Sequence, residues 1–184
     1  MLGTTGKKAD SGDIDLAVDE TKITKNELES ILKSWCISQG LDPKQYIRKT
    51  GDSVHFKSKI YGTDEYVQVD FMFGEPSWMK WAMRGSSIDS AYKAVHSHVL
   101  LASIAKYHNM RWSYKKGLLN RDNDTVITKN PDEIAKILLG AKYKAKDLDS
   151  VEQILNAIKN DPYKELMIKD AKETLSKVYN VDIS

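Results

Sequence analysis

Two aspartates stand two residues apart near the start of the chain, directly after a segment rich in glycine and threonine. Asp13 and Asp15 alternate with Ile14 and Leu16. In a β-strand, residues i and i+2 lie on the same face, so both carboxylates are expected a few ångströms apart. Like charges this close raise each other's pKa unless a cation lies between them. The pattern therefore favours a divalent ion, with Mg²⁺ as the first choice and Mn²⁺ as the second, because both bind carboxylates together with water.

A third aspartate, Asp70, lies between Val69 and Phe71 in an apolar segment. An unpaired buried carboxylate costs several kcal/mol, so a carboxylate in this setting has a partner or faces solvent. If its strand pairs with the strand of Asp13 and Asp15 with matching pleat, all three carboxylates share one face. They could then hold two metal ions, one activating an attacking hydroxyl and the other neutralising a triphosphate. An Asp-x-Asp alone is common in solvated edges and turns, so the prediction depends on all three residues together.

The loop before the first strand supplies candidate nucleotide-binding residues. Gly3, Thr4 and their neighbours would offer backbone N–H groups and hydroxyls to phosphate oxygens. Ser11 either satisfies the turn before the strand or donates to a metal-bound water, and both roles stay open. A basic and aromatic stretch, residues 106–121, either binds phosphates and stacks bases or forms a solvated surface.

The hydrophobic spacing that positions these residues changes near Gly74. Before it, period-two alternation predicts strands, and after it helical spacing dominates. Thr24 and Glu27 predict a capping box for the first helix, and Gly40 suits its end. Strands are predicted over residues 13–18, 46–49, 53–60 and 65–73, with an extended segment over 111–119, and further helices over 77–83, 90–107, 131–139, 151–159 and 163–179.

These elements predict an α+β fold. A small mixed, mostly antiparallel sheet flanked by helices is expected in residues 1–74, followed by a mainly helical lobe in residues 75–184. Apolar residues occupy one face of the first strand, so the carboxylates are expected on the open face of the sheet.

The order Gly-Thr, then Ser-Gly-Asp-Ile-Asp-Leu, then Val-Gln-Val-Asp-Phe resembles the DNA polymerase beta-type nucleotidyltransferase superfamily. The likeness is greatest to its stand-alone phage-encoded and bacterial members. Gly3 and Thr4 stand where that family has Gly followed by Gly or Ser. Asp13 and Asp15 match its paired metal ligands, and Asp70 matches its third acidic position.

The resemblance implies a nucleotidyltransferase core that holds Mg²⁺ and a nucleoside triphosphate such as ATP. It implies transfer of a nucleoside monophosphate to a hydroxyl acceptor with release of pyrophosphate. In related enzymes the lobe after the sheet helps bind the triphosphate, which makes Lys93 a candidate contact, with Lys106 and Lys115 as alternatives. The acceptor could be RNA, tRNA, a protein or a small molecule. Only Met1 and Leu2 precede Gly3, where the family has a strand, so the alternative is an inactive nucleotide- or nucleic-acid-binding module or assembly subunit on the same fold.

The amino-acid composition bears on the cellular location and the partners of the protein but not on its reaction. Of 184 residues, 28 are Lys or Arg and 26 are Asp or Glu, a formal net charge of +2. This weak basicity is compatible with acceptors other than long nucleic acids, which usually need a broad positive surface. Cys36 is the single cysteine, so no internal disulfide forms, and no apolar run reaches membrane-spanning length. We expect a cytoplasmic protein, in the host cytoplasm if phage-encoded.

Overall fold

The computed structural model describes residues 1–3, 12–86 and 89–183. The chain divides into two compact units, Met1–Arg84 and Gly85–Ser184, and both contain helices and strands. The predicted α+β class is confirmed, with a four-stranded mixed sheet in the first unit and a three-stranded antiparallel sheet in the second. Across the described ranges, every helix is too short or too polar to cross a bilayer.

The first unit is built on a sheet with strand order β1-β4-β3-β2. Strand β1 runs parallel to β4, and the other two pairings are antiparallel. The mixed, mostly antiparallel sheet predicted from the sequence is therefore observed. The elements are β1 (Asp13–Asp19), α1 (Lys25–Ser38), α2 (Pro43–Tyr46), β2 (Ile47–Thr50), β3 (Ser53–Lys59), β4 (Tyr66–Gly74) and α3 (Pro76–Ala82).

Helix α1 covers the apolar face of this sheet. Its predicted capping box is confirmed, because the Thr24 side chain accepts from the Glu27 backbone N–H and the Glu27 carboxylate accepts from the Thr24 backbone N–H. Trp35 on α1 meets Phe56 on β3 edge to face, with 5.6 Å between ring centroids. Period-two alternation places His55 and Lys57 on the other face, away from α1. The polar face of the sheet is the one that carries Asp13, Asp15 and Asp70.

The second unit consists of helices around a small meander of strands. Its elements are α4 (Ala94–Tyr107), β5 (Met110–Ser113), β6 (Gly117–Asn120), β7 (Val126–Thr128), α5 (Pro131–Leu139), a 3₁₀ helix (Ala145–Leu148), α6 (Val151–Ile158) and α7 (Lys164–Tyr179). Helices α4 and α7 are joined through Ser103, whose buried hydroxyl donates to the Met167 carbonyl over 2.7 Å and accepts from the Ala171 N–H over 3.2 Å. The lobe predicted to be mainly helical thus also holds a three-stranded sheet.

The predicted helix start at Ser90 is wrong, because α4 begins at Ala94. The Ser90 hydroxyl and the Ala91 N–H both donate to the carboxylate of Glu152, each over 2.9 Å. This contact with the first turn of α6 holds residues 90–91 outside the helix, a tertiary effect that helical spacing alone does not reveal.

Candidate metal centre

Three aspartates converge on the polar face of the first sheet. Asp13, Asp15 and Asp70 each offer one carboxylate oxygen, and these oxygens all lie within 4.8 Å of one another. All three residues are half-buried, so the cluster is neither enclosed in the core nor fully solvated. The convergence predicted from the sequence is confirmed.

The strand register explains this convergence. Asp15 and Asp70 are direct partners in the parallel pair β1–β4, and Asp13 lies opposite Gln68. Directly paired residues have side chains on the same face of a sheet. A shift of one residue in this register would move Asp70 to the apolar face, so the pairing itself assembles the cluster.

The three carboxylates of the cluster repel one another. Burial raises the pKa of Asp15, the nearby carboxylates of Asp13 and Asp70 raise it further, and His55 lowers it. Desolvation and like charge both disfavour the ionised form of a carboxylate. A divalent ion would reverse both effects, because it replaces water as a ligand and supplies positive charge.

Asp70 is held by two neighbours that the sequence patterns did not single out. His55 Nδ1 lies 2.5 Å from Asp70 Oδ1, and the two residues are partners in the antiparallel pair β3–β4. Gln68 Nε2 donates to both oxygens of the same carboxylate, over 2.8 and 3.1 Å. On its other side, His55 Nε2 lies 2.6 Å from the Thr50 hydroxyl. The side chains of His55 and Asp70 are only 23% and 13% exposed, so this chain of contacts is largely shielded from solvent.

Gly3 packs against the cluster from the start of the chain. The Leu2 N–H donates to the Asp15 carbonyl and the Gly3 N–H donates to the Met83 carbonyl, both over 2.8 Å. Gly3 has a φ of +60°, and a Cβ placed on it would lie 2.9 Å from Asp15 Oδ2. The structure therefore brings Gly3 beside Asp15, while its role in nucleotide binding stays a prediction. Thr4 and Ser11 lie outside the described residues.

The basic candidates of the lobe lie in the second unit. Lys93 is the N-cap residue of α4, where its backbone N–H donates to His96 Nδ1 over 3.1 Å. Lys106 pairs with the carboxylate of Asp170. Lys106 thus already has a carboxylate partner. A contact of Lys93 with a triphosphate stays a prediction.

The donor set fits a divalent metal ion. Carboxylate oxygens are hard ligands of the kind that Mg²⁺, Mn²⁺ and Ca²⁺ bind, and no softer ligand takes part in this group of three. The contact of Asp70 with His55 resembles the arrangement in which neighbouring groups orient a ligating carboxylate. A metal site at Asp13, Asp15 and Asp70 is thus chemically reasonable, while the identity of the ion stays a prediction.

Comparison of the chain with models of known protein families and with curated proteins finds no match to either. The resemblance to DNA polymerase beta-type nucleotidyltransferases therefore stays a prediction, which depends on the residues of this chain alone. The observation that bears most directly on function is the group of three carboxylates.

Proposed function

We propose that the chain is a metal-dependent nucleotidyltransferase that moves a nucleoside monophosphate from a nucleoside triphosphate to a hydroxyl acceptor. The observation that carries this proposal is the convergence of Asp13, Asp15 and Asp70, whose ligand oxygens lie within 4.8 Å of one another on the polar face of the sheet. The four-stranded sheet with α1 behind it is, in this proposal, a nucleotidyltransferase core. Because the reaction consumes nucleoside triphosphates, we assign it to the cytoplasm.

The three carboxylates would hold the ions, Mg²⁺ or Mn²⁺. When bound, such ions neutralise the charge of the triphosphate and make a hydroxyl a better nucleophile at neutral pH. Asp13 and Asp15 lie on β1 and act mainly as ligands. The backbone of Gly3 lies beside Asp15. Because glycine has no side chain, there is room for phosphate oxygens next to the cluster.

Asp70 has a different role because of its position and partners. It lies on β4 between β1 and β3. The proposal places the attacking hydroxyl on the β3 side of Asp70, away from the two ligands on β1. In the reaction, the hydroxyl oxygen bonds to the α-phosphorus, the bond from that phosphorus to the pyrophosphate oxygen breaks, and the hydroxyl proton is released to Asp70 or to water. His55 and Gln68 hold the carboxylate in one orientation for this task. Such positioning is the main contribution of protein groups to phosphoryl transfer.

The experiment is incubation of the protein with each labelled nucleoside triphosphate, Mg²⁺ or Mn²⁺, and a panel of tRNA, short RNA, DNA, protein and small-molecule acceptors. We expect labelled product and pyrophosphate with at least one acceptor. Asp13→Asn and Asp70→Asn should each reduce the rate at least about a hundredfold, since several kcal/mol of transition-state stabilisation would be lost. Asp64→Asn is the matched control, because Asp64 is fully exposed in the turn between β3 and β4.

Two outcomes would contradict the proposal. Full activity of Asp70→Asn would show that the Asp70 carboxylate takes no part in the reaction. Binding of a triphosphate with metal but without pyrophosphate release, over the whole panel, would favour the inactive binding module instead.

A further inference from the structure

A cavity of about 440 Å³ lies on the polar side of strands β2, β3 and β4, next to helix α2. Its volume falls within the range of small-ligand sites, roughly 300–1,000 Å³. Three basic side chains, Lys44, Arg48 and Lys57, and two tyrosines, Tyr46 and Tyr66, contribute to its lining. None of these five residues belongs to the three-carboxylate group, which lies on the same unit.

No carboxylate of the described residues neutralises the basic side chains of the cavity. Within residues 1–3, 12–86 and 89–183, no carboxylate forms an ion pair with Lys44, Arg48 or Lys57, whereas other lysines of the same unit do pair, as Lys33 does with Glu29 over 2.7 Å. Unpaired cations that share a concave surface concentrate positive potential there and attract an anion. The charge of the cavity therefore complements a phosphate or a carboxylate.

The tyrosines restrict the choice of anion. The rings of Tyr46 and Tyr66 lie 6.1 Å apart at 65°, and Tyr66 is 41% exposed. Lys57 Nζ lies over both rings, 4.3 Å from the centroid of Tyr66 and 5.7 Å from that of Tyr46. An exposed cation–π contact is weaker than the stacking of a base on an aromatic ring, so a base can displace the flexible lysine, which then meets the phosphate. A carboxylate alone would satisfy the charge but leave the ring faces unused.

The cavity is also connected to the three-carboxylate group. His55 and Gln68 contribute to its lining, and the same two side chains contact the carboxylate of Asp70. A ligand in the cavity therefore lies on the β3 side of Asp70, opposite to β1 with Asp13 and Asp15. This is the side from which the acceptor hydroxyl approaches in the proposed reaction.

We infer that the cavity binds a terminal nucleotide of a single-stranded nucleic acid, which is the acceptor of the proposed transfer. The acceptor's base stacks on Tyr66, its phosphates contact Lys57 and Arg48, and its terminal hydroxyl reaches Asp70. This inference names the acceptor class and rests on the proposed function for its role in catalysis. The binding itself needs no metal ion and can be measured without turnover.

The test measures fluorescence anisotropy of a short fluorescein-labelled single-stranded RNA with the full chain in EDTA, which excludes metal-dependent triphosphate binding. We expect Tyr66→Leu to weaken binding about tenfold, while Tyr66→Phe keeps it because the ring face is retained. Lys57→Ala should weaken binding and make the log–log salt dependence shallower by about 0.7, the value for one phosphate contact in a single strand. Unlabelled RNA and DNA of equal length compete in separate arms and identify the preferred sugar.

Matched controls are available on the same unit. Lys33→Ala removes one positive charge from α1, which covers the other face of the sheet, and Tyr61→Leu removes a fully exposed tyrosine outside the cavity. Neither should change the affinity. Unchanged binding by both Tyr66→Leu and Lys57→Ala would overturn the inference, and so would an acidic peptide of equal charge that competes as well as the nucleic acid.

The two proposals fail separately. If the cavity variants lose RNA binding in EDTA but no acceptor is ever labelled, the transferase proposal fails and the nucleic-acid site stands. If a protein or small molecule is labelled and the cavity variants turn over at the wild-type rate, the acceptor inference fails and the transferase proposal stands.

Discussion

The carboxylate of Asp70 is held in place by His55 and Gln68. An ionised carboxylate only accepts hydrogen bonds, so the proton between it and His55 belongs to Nδ1 of the ring. On the other side of the ring, Nε2 lies 2.6 Å from the Thr50 hydroxyl and 3.1 Å from the Ser53 hydroxyl. These contacts hold the ring of His55 in place and set the direction in which Asp70 presents its free lone pairs.

We predict that His55→Ala lowers turnover by about 10–100-fold, the usual effect of removing a group that orients a metal ligand. It should also raise the Mg²⁺ concentration needed for half-maximal rate. Steady-state rates over a Mg²⁺ titration measure both effects. His55→Asn is the matched variant, since an amide nitrogen near the position of Nδ1 still donates to Asp70. Equal rates for wild type and His55→Ala would show that the contact does not orient the carboxylate for catalysis.

The second residue-scale prediction concerns the pKa of Asp15, which burial and the carboxylates of Asp13 and Asp70 raise above its ordinary value of 3.8. A raised pKa means that the folded state binds the proton more tightly than the unfolded state. Ionised Asp15 therefore destabilises the folded protein at neutral pH, and this cost disappears as the pH falls below the ordinary value. Without divalent ions, Asp15→Asn should melt at a higher temperature than wild type at pH 7.

The pH profile distinguishes this cause from a general gain in packing. The difference in melting temperature should shrink as the pH falls from 7 towards 3, because the Asp15 carboxyl of the wild type is then protonated and as neutral as the amide that replaces it. A gain that is constant over this range would contradict relief of like-charge repulsion as its cause.

Asp13, Asp15 and Asp70 were predicted as a cluster from the sequence, whereas His55 was not. The aspartates stand out because carboxylates in apolar strands need a partner. The sequence feature that could have identified His55 is the position of the hairpin turn. A turn centred between Gly62 and Thr63 pairs His55 with Asp70 across the β3–β4 hairpin. That signal depends on the register, which spacing alone does not fix to one residue.

At the scale of elements, the site depends on how the first three residues pack beside β1. Gly3 has a left-handed backbone, and its position next to Asp15 leaves no room for a Cβ. The bonds from Leu2 to Asp15 and from Gly3 to Met83 hold this segment against β1 and the end of α3. The shape of the site is thus determined by a short segment as well as by the sheet.

We predict that Gly3→Ala reduces the free energy of unfolding by about 1–2 kcal/mol, the cost of a left-handed backbone for an L-residue. The new methyl group would also displace the Asp15 carboxylate. Turnover should therefore fall by more than the loss of folded protein alone would cause. Urea unfolding and initial rates measure the two effects. Gly12→Ala is the control, since no atom of the described residues lies within 4 Å of its added Cβ. Equal loss of activity in both variants would contradict the close approach to Asp15.

The elements that sequence patterns predicted are the long ones with regular spacing. Strands β1, β3 and β4 alternate clearly, and α5 follows from Asn130 as N-cap and Pro131 at its first position. Helix α2 and strand β7 have only four and three residues, too few for a period to be seen. The 3₁₀ helix was missed for the same reason.

At the scale of the whole molecule, the α+β class followed from the change in spacing near Gly74, but the content of the second unit did not. Its three-stranded sheet forms around β6, which is buried between two short partners. Residues 117–119 are fully or almost fully buried, so they lack the alternation that marks a half-exposed strand. Only an extended segment over residues 111–119 was predicted there.

The last prediction concerns the stability of the chain as a whole with a metal ion bound. An ion that binds the folded cluster but not the unfolded chain stabilises it by about 2.7 kcal/mol at a free concentration one hundred times its Kd. Mg²⁺ or Mn²⁺ should therefore raise the melting temperature of the wild type, measured by calorimetry at constant ionic strength. The shift should disappear in Asp13→Asn and persist in Asp64→Asn, whose exposed carboxylate lies in a turn. Hydrogen exchange should slow in β1 and β4, the strands that supply the three ligands. An equal shift in wild type and Asp13→Asn would mean that the ion binds elsewhere, because loss of one carboxylate from the cluster must weaken an ion that the cluster holds.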